Sequence, residues 1–325
     1  MRILITGGGV IGVHTSALLL ENNQDVALLE INPQYDSIYN IIGKSQVKIL
    51  REDILDLNKL IEVVKDNNID SIVHTVANPM LNAGANDNPY DAIKLNIMGT
   101  ANVLETMRKC DLNRLIFLSS ATLTTNLKPA LEIGSLSEDN IPRTTNIYSS
   151  TKISCENLGL NYSNIYGVDF VALRPVGVFG PWAGKGGGGR SNMMKQLIED
   201  LINGKNGYIS PWIGEILYVK DMAWAIFNSL SSNKIKSRIY NIGMGEIYKP
   251  EEVINIIKGI FPEATISLKS SGEMLKFKPS NPVEKPLDLK RSREELSYVP
   301  KYPMKKAIED YVNWRKSFLG NNQNF

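Results

Sequence analysis

Short apolar runs alternate with longer amphipathic segments through the first half of the chain. An apolar run of three or four residues indicates a buried strand, and a longer amphipathic segment indicates a helix. Because each strand is followed by a helix, the pattern predicts an α/β fold, a doubly wound parallel sheet with helices on both faces. The predicted strands are 3–5, 26–29, 47–50, 71–73, 115–118 and 170–173, and the predicted helices are 10–22, 57–68, 89–110 and 149–166.

The regular alternation ends after Pro175. Residues 184–189 are glycines apart from Lys185, a composition that indicates a loop because glycine disfavours helix. The segments predicted beyond it are a helix at 191–203, a strand at 216–219, a helix that opens at Asp221, a strand at 238–241, and short helices and turns over 246–325. The expected sheet domain comprises 1–175 and 216–245, and the expected smaller C-terminal subdomain comprises 176–215 and 246–325.

Composition excludes several classes of protein. The 325 residues include 36 Lys and Arg against 34 Asp and Glu, and this balance argues against a nucleic-acid partner, which needs a strongly basic face. Two cysteines, Cys110 and Cys155, are too few for a disulfide framework and suit a reducing compartment. No apolar run approaches the roughly 20 residues that span a bilayer, and the first residues lack a signal peptide. We expect a cytoplasmic protein with no membrane partner and no metal site.

A glycine motif lies where the first predicted strand meets the first predicted helix. Residues 7–12 read Gly-Gly-Gly-Val-Ile-Gly, which fits the dinucleotide-binding pattern G-x-G-x-x-G of Rossmann-type folds. Gly7 allows the tight turn, Gly9 lets the backbone approach a pyrophosphate, and Gly12 lets the helix pack against the strand. The helix amino terminus then faces the phosphates. The residues predicted to bind the cofactor here are Gly7, Gly9, Val10, Ile11 and Gly12.

Glu30 ends the second predicted strand, 18 residues after Gly12. A carboxylate at this place accepts hydrogen bonds from the adenosine ribose and repels a 2′-phosphate. The next residues, Ile31 and Asn32, are not basic. The sequence therefore favours NAD over NADP; the alternative is a glycine turn without a ligand and a solvated Glu30.

Three more positions follow predicted strands. Asp53 either accepts a hydrogen bond from the adenine amino group, with Ile54 beside it, or caps the helix that follows, and both roles are compatible. Ala77 is small enough to let the cofactor lie flat over the strand ends. The two histidines, His14 and His74, fall within predicted elements and are interpreted as packed core residues.

Tyr148 and Lys152 form a Y-x-x-x-K pattern in a predicted helix, so their side chains share one face. A tyrosine that exchanges a proton with a substrate hydroxyl must lower its pKa of about 10 by about 3 units, or roughly 4 kcal/mol. The Lys152 ammonium and the positive nicotinamide would supply this by charge, and Lys152 would also hold the nicotinamide ribose. Ser120, after the strand 115–118, is placed to bond the same substrate oxygen. The alternative is a chance pattern in a helix.

Eight segments together resemble, in order, the landmarks of the extended short-chain dehydrogenase/reductases, in the NAD-dependent epimerase/dehydratase group. The resemblance covers almost the whole chain. One departure is Thr6, where the family usually has the first glycine of G-x-x-G-x-x-G, so this loop is one residue shorter. The segments are Thr6-Gly7-Gly8, Asp53, Asn96 to Thr100, Ser119 to Thr122, Tyr148 to Lys152, Leu173 to Pro175, Tyr218 to Asp221 and Tyr240 to Gly243.

The resemblance implies roles for residues that the local pattern does not assign. Ser120, Tyr148 and Lys152 would carry catalysis, and Asn96 would belong to the cofactor site. Pro175 and Val178 would border the nicotinamide. The smaller C-terminal subdomain would bind a small-molecule substrate. The helices at 89–110 and 149–166 would form a four-helix interface between two copies, which implies a homodimer.

The residues after Ser120 bear on the reaction. Dehydratases of this family carry an Asp-Glu pair there, but this chain has Ala121, Thr122 and Leu123. Ser-Ser-Ala-Thr resembles the UDP-galactose 4-epimerases, although the chain departs from them at 123–125, and it assigns Thr122 to the substrate site. We therefore expect an NAD-dependent epimerase that oxidises a secondary hydroxyl of a sugar or sugar derivative. The alternatives are a net dehydrogenase of a non-nucleotide polyol, sugar acid or hydroxy acid, and an NAD-sensing protein without turnover.

The contacts that hold a nucleotide sugar in this family are only partly present. Gly177 stands where these enzymes place Asn, Gly214 where they usually place Arg, and Lys278 where they have a second Arg. A single ammonium is a poor substitute for a two-pronged guanidinium contact to phosphate. This pattern keeps the non-nucleotide substrate open.

Basic residues suggest an anionic substrate. The stretch 265–306 has ten Lys and Arg against five Asp and Glu. Lys185 and Arg190, in and beside the glycine-rich loop, would close over such a substrate, because a mobile loop can act as a lid. The alternative is an ordinary solvated basic face.

Overall fold

The computed structural model describes residues 1–43, 47–78, 85–125, 136–142, 144–209, 211, 214–268 and 285–322. The predicted substrate residue Lys278 lies outside these ranges, and so does the side chain of Arg190. Within these ranges, none of the helices has the length and apolar character needed to cross a membrane.

The described residues form a seven-stranded sheet in which every pairing is parallel. Its strand order is β10-β6-β5-β4-β1-β2-β3, which confirms the predicted doubly wound α/β fold. The strand order reverses between β1 and β4: β2 and β3 are added on one side of β1, and the later strands are added on the other side. In such folds ligands bind at the carboxyl ends of the strands, at the point of reversal. The strands are β1 Arg2–Thr6, β2 Asp25–Leu29, β3 Lys48–Leu50, β4 Ser71–His74, β5 Arg114–Leu118, β6 Phe170–Pro175, β7 Gly177–Phe179, β8 Gly207–Ile209, β9 Ile216–Tyr218, β10 Ile239–Ile242 and β11 Ile266–Leu268.

Helices cover both faces of the sheet. They are α1 Val10–Glu21, α2 Tyr35–Ile42, α3 Leu57–Asp66, α4 Pro89–Ile93, α5 Gly99–Cys110, α6 Thr122–Thr125, α7 Ile147–Tyr166, α8 Gly189–Ile202, α9 Val219–Ser231, α10 Pro250–Ile260, α11 Lys290–Leu296 and α12 Met304–Asn322. In the first half of the chain α1, α3 and α7 lie where the apolar pattern predicts them, whereas α2 and α6 were not predicted.

Two helical segments differ from the prediction. The single helix expected at 89–110 is two helices joined by a π-helical turn, Lys94–Met98, which an apolar period of 3.6 does not reveal. The C-terminal part was expected to hold only short helices, but α12 has 19 residues. Its buried side, which includes Ile308, Tyr311 and Val312, packs in a core that the local pattern does not show.

The side chains pack in three separate apolar cores. Two of them lie on the two faces of the parallel sheet. The third joins β7, β9, α8, α10 and α12. In this region β9 pairs with β7, and β8 with β11, in two small sheets separate from the main one. These elements form a second part of the structure, built on its own core.

Candidate active site

The glycine turn joins the carboxyl end of β1 to the amino terminus of α1. Gly7 has a φ of +102°, a backbone conformation that favours glycine. A Cβ added to Gly12 would lie 2.0 Å from the Gly7 carbonyl oxygen, so strand and helix are too close there for any side chain. A Cβ added to Gly9 would meet nothing within 4 Å. The turn therefore leaves open space at the residue predicted to face a pyrophosphate.

The amino terminus of α1 faces this open space with its backbone N–H groups. Gly9 is the N-cap residue, and no side chain within the described ranges caps the helix. In the first turn, Val10 is buried and Ile11 is half-buried. The first N–H groups of a helix have no partner inside the helix and carry partial positive charge, so this end suits a diphosphate.

Glu30 directly follows β2 and lies beside the glycine turn. Its Oε2 accepts a hydrogen bond from the Gly8 N–H at 2.8 Å, and its Oε1 accepts one from the Asn32 N–H at 3.1 Å. A carboxylate has about four acceptor positions, so Glu30 retains capacity for two ribose hydroxyls. The Arg51 side chain donates to the Ile31 carbonyl at 3.2 Å. A basic group therefore lies near Glu30, although the residues that follow Glu30 in sequence are not basic.

The turn after β3 corrects the capping role considered for Asp53. Helix α3 is capped by Asp56, whose Oδ1 accepts from the Lys59 N–H at 3.0 Å. Asp53 instead accepts from the Leu55 N–H at 2.9 Å, within the turn. The N-cap prediction is wrong because the turn places Asp53 before the helix rather than at its first residue. The adenine contact stays a prediction.

The π-helical turn positions Asn96 at the end of β4. Its Oδ1 accepts from the Asn78 N–H at 2.7 Å, and its Nδ2 donates to the Thr151 hydroxyl at 2.9 Å. Ala77 is partly exposed, whereas Ile54 and Asn96 are buried. Asn96 therefore fixes the backbone beside Ala77 and the start of α7, and the geometry supports an indirect part in cofactor binding.

Helix α7 begins at Ile147 because Asn146 caps it. The Asn146 Oδ1 accepts from the Ser149 N–H at 2.8 Å, and the Ser149 hydroxyl accepts from the Asn146 N–H at 3.4 Å, which is a reciprocal capping box. Tyr148 therefore lies in the first turn, and Lys152 follows one turn later on the same face.

Ser120 contacts the Tyr148 phenol, as the sequence predicts for residues of one site. The Ser120 oxygen accepts hydrogen bonds from the Thr122 hydroxyl at 3.0 Å and from the Thr122 N–H at 3.2 Å. Ser120 lies close enough to the Tyr148 phenol to lower its pKa. Thr122 thus orients Ser120 beside Tyr148.

Lys152 is buried beneath this pair. Its Nζ donates to the Leu118 carbonyl at 2.5 Å, at the end of β5. The same nitrogen lies 4.8 Å from the centre of the Phe117 ring and 5.6 Å from the centre of the Tyr148 ring. The ammonium is therefore close to the phenol without a direct bond to its oxygen, and the structure brings Ser120, Tyr148 and Lys152 into one cluster.

The protein alone does not make the Tyr148 phenol more acidic. Burial raises the pKa of Tyr148 to about 12, against the opposing hydrogen bond from Ser120. Burial also lowers the pKa of Lys152 to about 8, and Cys155 and Glu156 oppose that shift. The expected lowering of the phenol pKa by Lys152 is not seen, because the cost of removing a phenolate from water dominates. The positive charge of a bound nicotinamide, which the sequence analysis also invokes, would lower the pKa of Tyr148.

Both histidines are buried and hydrogen-bonded. His14 Nε2 donates to the Pro181 carbonyl at 2.8 Å. His74 lies between two hydroxyls, with Nδ1 2.7 Å from the Thr6 oxygen and Nε2 3.1 Å from the Thr100 oxygen. Burial lowers the pKa of His14 to about 4 and that of His74 to about 3, so both rings are neutral. These contacts agree with the interpretation of both as core residues.

Pro175, Gly177 and Val178 follow one another where β6 leaves the sheet and β7 begins. All three are partly exposed. They lie beside the Ser120 strand end, because the Ala121 N–H donates to the Pro175 carbonyl at 2.9 Å. This proximity places the predicted nicotinamide border next to the predicted catalytic residues.

The position of the missing clamp arginine is next to a buried carboxylate. Gly214 forms a short β-bridge with Tyr248. The adjacent Glu215 accepts hydrogen bonds from the Gly245 N–H and from the Leu287 N–H, both at 2.8 Å. Glu215 is buried, and its carboxylate therefore holds the backbone of Gly245 and Leu287 in place.

The glycine-rich loop is attached to the sheet domain. Gln34 accepts from the Lys185 N–H at 2.5 Å and donates to the Lys185 carbonyl at 3.2 Å. Trp182 also donates to that carbonyl at 3.2 Å, and Lys195 donates to the Gly184 carbonyl at 2.9 Å. The Lys185 side chain is exposed. Its predicted contact with a substrate stays a prediction.

Sequence reasoning missed Glu156, which lies fully buried in the same cluster. Its carboxylate forms an ion pair with Arg174 and accepts from Ser119. One signal was present, since Glu156 follows Lys152 by four residues and so shares its helix face. The sequence does not reveal the ion-pair partner of Glu156, because Arg174 lies on a different element, β6.

Comparisons with known proteins identify the family. The model of the NAD dependent epimerase/dehydratase family matches residues 3–243. The chain is 30% identical to a UDP-glucose 4-epimerase of Yersinia enterocolitica over 281 residues, which covers 79% of this chain and 81% of that protein.

Two solved structures share the fold. One is L-threonine dehydrogenase from Clostridium difficile, with a TM-score of 0.83, 23% identity and 98% of both chains covered. The other is a UDP-glucose 4-epimerase of Thermus thermophilus in complex with NAD, with a TM-score of 0.80, 22% identity, and 97% of this chain and 99% of that chain covered. At these identities the likeness establishes the architecture.

Proposed function

The chain belongs to the NAD dependent epimerase/dehydratase family, and from this premise we propose that it oxidises a secondary hydroxyl of a sugar or sugar derivative with Tyr148 as general base. The observation that carries the proposal is the cluster in which Thr122 orients Ser120, Ser120 lies beside the Tyr148 phenol, and Lys152 lies beneath it. An epimerase is the leading reaction, because the sequence relative from Yersinia enterocolitica is a UDP-glucose 4-epimerase.

The described residues fit NAD. The open space at Gly9 and the uncapped amino terminus of α1 would receive the pyrophosphate. Glu30 would bind the adenosine ribose, Asp53 would bind the adenine amino group, and Ala77 would leave room along the strand ends. The nicotinamide end would lie between Pro175 and Val178 on one side and Tyr148 and Lys152 on the other.

The chemistry that NAD would supply when bound here is a hydride acceptor for the substrate carbon. Ser120 donates a hydrogen bond to the substrate oxygen and Tyr148 takes the hydroxyl proton at its phenol oxygen. Lys152 stabilises the phenolate by charge and holds the ribose hydroxyls. In an epimerase the ketone would turn over in the site, and Tyr148 would then return the proton to the same oxygen.

A net dehydrogenase of a non-nucleotide substrate is the second candidate. One observation favours it: Gly214 stands where nucleotide-sugar enzymes usually place the clamp arginine, and the adjacent Glu215 is buried with its carboxylate bonded to the Gly245 and Leu287 N–H groups. A polyol, sugar acid or hydroxy acid needs no such clamp. Lys185, exposed on the glycine-rich loop, would bind the acid group of such a substrate.

We also propose that the protein forms a homodimer and that it has a separate substrate-binding subdomain. Large apolar side chains are exposed on the two helical segments predicted to form the interface, namely Tyr90, Ile93, Met98, Ile165 and Tyr166. The third apolar core supports a separate subdomain, but it includes Ile216 and Tyr218 of β9, which the predicted division assigned to the sheet domain. Sedimentation of the purified chain tests the dimer, and a monomer at micromolar concentration would contradict it. The cytoplasmic location stays a prediction.

A substrate panel tests the reaction. UDP-sugars, free sugars, sugar acids and hydroxy acids are each incubated with the protein, and both NADH absorbance and product stereochemistry are measured. An epimerase inverts a UDP-sugar without accumulating NADH, whereas a net dehydrogenase accumulates NADH in proportion to product. The Tyr148→Phe variant is the matched control. Turnover that survives this substitution would contradict the assigned base.

A further inference from the structure

The reaction steps above leave unused a fully buried carboxylate in the candidate site. Glu156 has 0% of its surface exposed and Arg174 has 2%. Arg174 Nε donates to Glu156 Oε1 at 2.9 Å, and Arg174 Nη2 donates to Oε2 at 2.7 Å. The Ser119 hydroxyl donates to Oε1 at 2.5 Å. Both carboxylate oxygens are bonded, and the two-pronged arrangement fixes the orientation of the guanidinium.

This cluster joins the three elements that carry the predicted catalytic and nicotinamide-binding residues. Ser119 follows β5, Arg174 belongs to β6, and Glu156 belongs to α7. Each of the three lies next to a residue of the candidate site, directly along the chain or one helical turn away. The neighbours are Ser120 for Ser119, Pro175 for Arg174 and Lys152 for Glu156.

Stability alone does not account for a buried ion pair. The cost of removing both charges from water often exceeds their attraction, and apolar side chains of similar volume frequently serve as well or better. What the pair supplies is a fixed geometry between helix and strand ends. We propose that Glu156 is a positioning residue that holds the Lys152 turn of α7 in register with the strand ends of Ser120 and Pro175. The proposal rests on the proposed function of that site.

The same carboxylate also acts on the charge of Lys152. The groups around the Lys152 ammonium are Tyr148, Cys155 and Glu156 on α7, His74 on β4, and the Leu118 carbonyl and Phe117 ring on β5. His74 is neutral because its pKa is lowered to about 3. Glu156 is the carboxylate of this group and raises the pKa of Lys152 against burial. Removing its charge therefore lowers the pH at which Lys152 loses its proton.

The Glu156→Gln variant of the full chain tests the proposal, because it keeps the side-chain shape and removes the charge. The Lys152 titration is followed by NMR of 13Cε-lysine and assigned with Lys152→Met. We expect the midpoint, about 8 in the protein, to fall by on the order of one pH unit. NADH affinity, measured by fluorescence, falls less than kcat, because most proposed cofactor contacts lie outside the Lys152 turn. The kcat on the substrate found by the panel falls about 100-fold, the loss expected from an error of about 1 Å in placement.

The matched control is Asp169→Asn. Asp169 forms ion pairs with Arg114 and Arg238 at the amino ends of β5, β6 and β10, in the same sheet but at its opposite edge. We expect this variant to lose thermal stability and to keep both the Lys152 midpoint and kcat. If Glu156→Gln behaves like Asp169→Asn, with a lower Tm and an unchanged midpoint and kcat, the proposal is overturned.

A second variant covers the case in which Glu156→Gln fails to fold because Arg174 is left unpaired. Glu156→Gln with Arg174→Met removes both charges at similar volume. The Lys152 midpoint should still lie below that of the unmodified protein, and a midpoint equal to it would refute the proposal. The titration needs no cofactor. If the unmodified protein fails to bind NADH while the midpoint still falls, the proposed function fails and the Glu156–Lys152 coupling stands.

Discussion

Replacing Gly9 with alanine should move protein stability and cofactor affinity in opposite directions. In the protein alone an added Cβ meets nothing within 4 Å, and the φ of −84° at Gly9 is ordinary for alanine. A Gly→Ala change at a compatible backbone position stabilises by about 0.4–1 kcal/mol, because it narrows the unfolded ensemble. For a chain of this size that is a rise in Tm of about 1–2 °C.

The same methyl group would intrude between the turn and the proposed pyrophosphate. Losing one hydrogen bond to a charged group costs about 1.5–3 kcal/mol, which weakens NADH binding about 10- to 100-fold. Thermal unfolding and fluorescence titration with NADH measure the two effects on the same sample. Gly12→Ala is the contrasting variant, because its Cβ would lie 2.0 Å from the Gly7 carbonyl oxygen. This substitution should lower both the Tm and the NADH affinity. Unchanged NADH affinity in Gly9→Ala would refute the placement of the pyrophosphate. A Tm several degrees lower would contradict the open space at Gly9 on which that placement rests.

Three further predictions address the site and the core. Tyr148→Phe should lower kcat by about 10²–10⁴-fold, the usual contribution of a general base, and leave NADH affinity within about twofold; turnover near normal would refute the assignment. Glu30→Ala should weaken NAD more than NADP in fluorescence titrations, since a carboxylate binds the ribose and repels a 2′-phosphate; equal losses would contradict this. His14 and His74 have folded-state pKa values below the unfolded value of 6.5, so the unfolded state binds more protons and stability falls as the pH drops below about 6.5. Between about pH 7 and 5 urea unfolding should show a loss of about 3–4 kcal/mol, about half of it removed in His74→Gln, and a flat profile would argue against two neutral buried rings.

The parts of the fold that local pattern predicts are those governed by neighbours in sequence. The strands of the main sheet and helix α1 were placed to within a few residues, because their apolar periods are strong. The glycine turn was readable since Gly7 and Gly12 serve a local geometry. Tyr148 and Lys152 were paired correctly on one face because four residues make one helical turn.

The parts that were missed depend on contacts between distant segments. The π-helical turn at Lys94–Met98 turns Asn96 toward Asn78 and Thr151, and no local period reports such partners. Asp56 rather than Asp53 caps α3. The two acidic residues are three positions apart, and either can cap a helix, so the sequence alone does not distinguish them. Strand β9 pairs with β7, not with the main sheet.

A crystal structure of the protein with NAD tests the central claim most directly. The account predicts the pyrophosphate at the Gly9 turn, with the nicotinamide ribose within about 3 Å of the Lys152 Nζ and the Tyr148 phenol oxygen facing the nicotinamide. A nicotinamide bound away from Ser120, Tyr148 and Lys152, or a phenol directed out of the cleft, would contradict it.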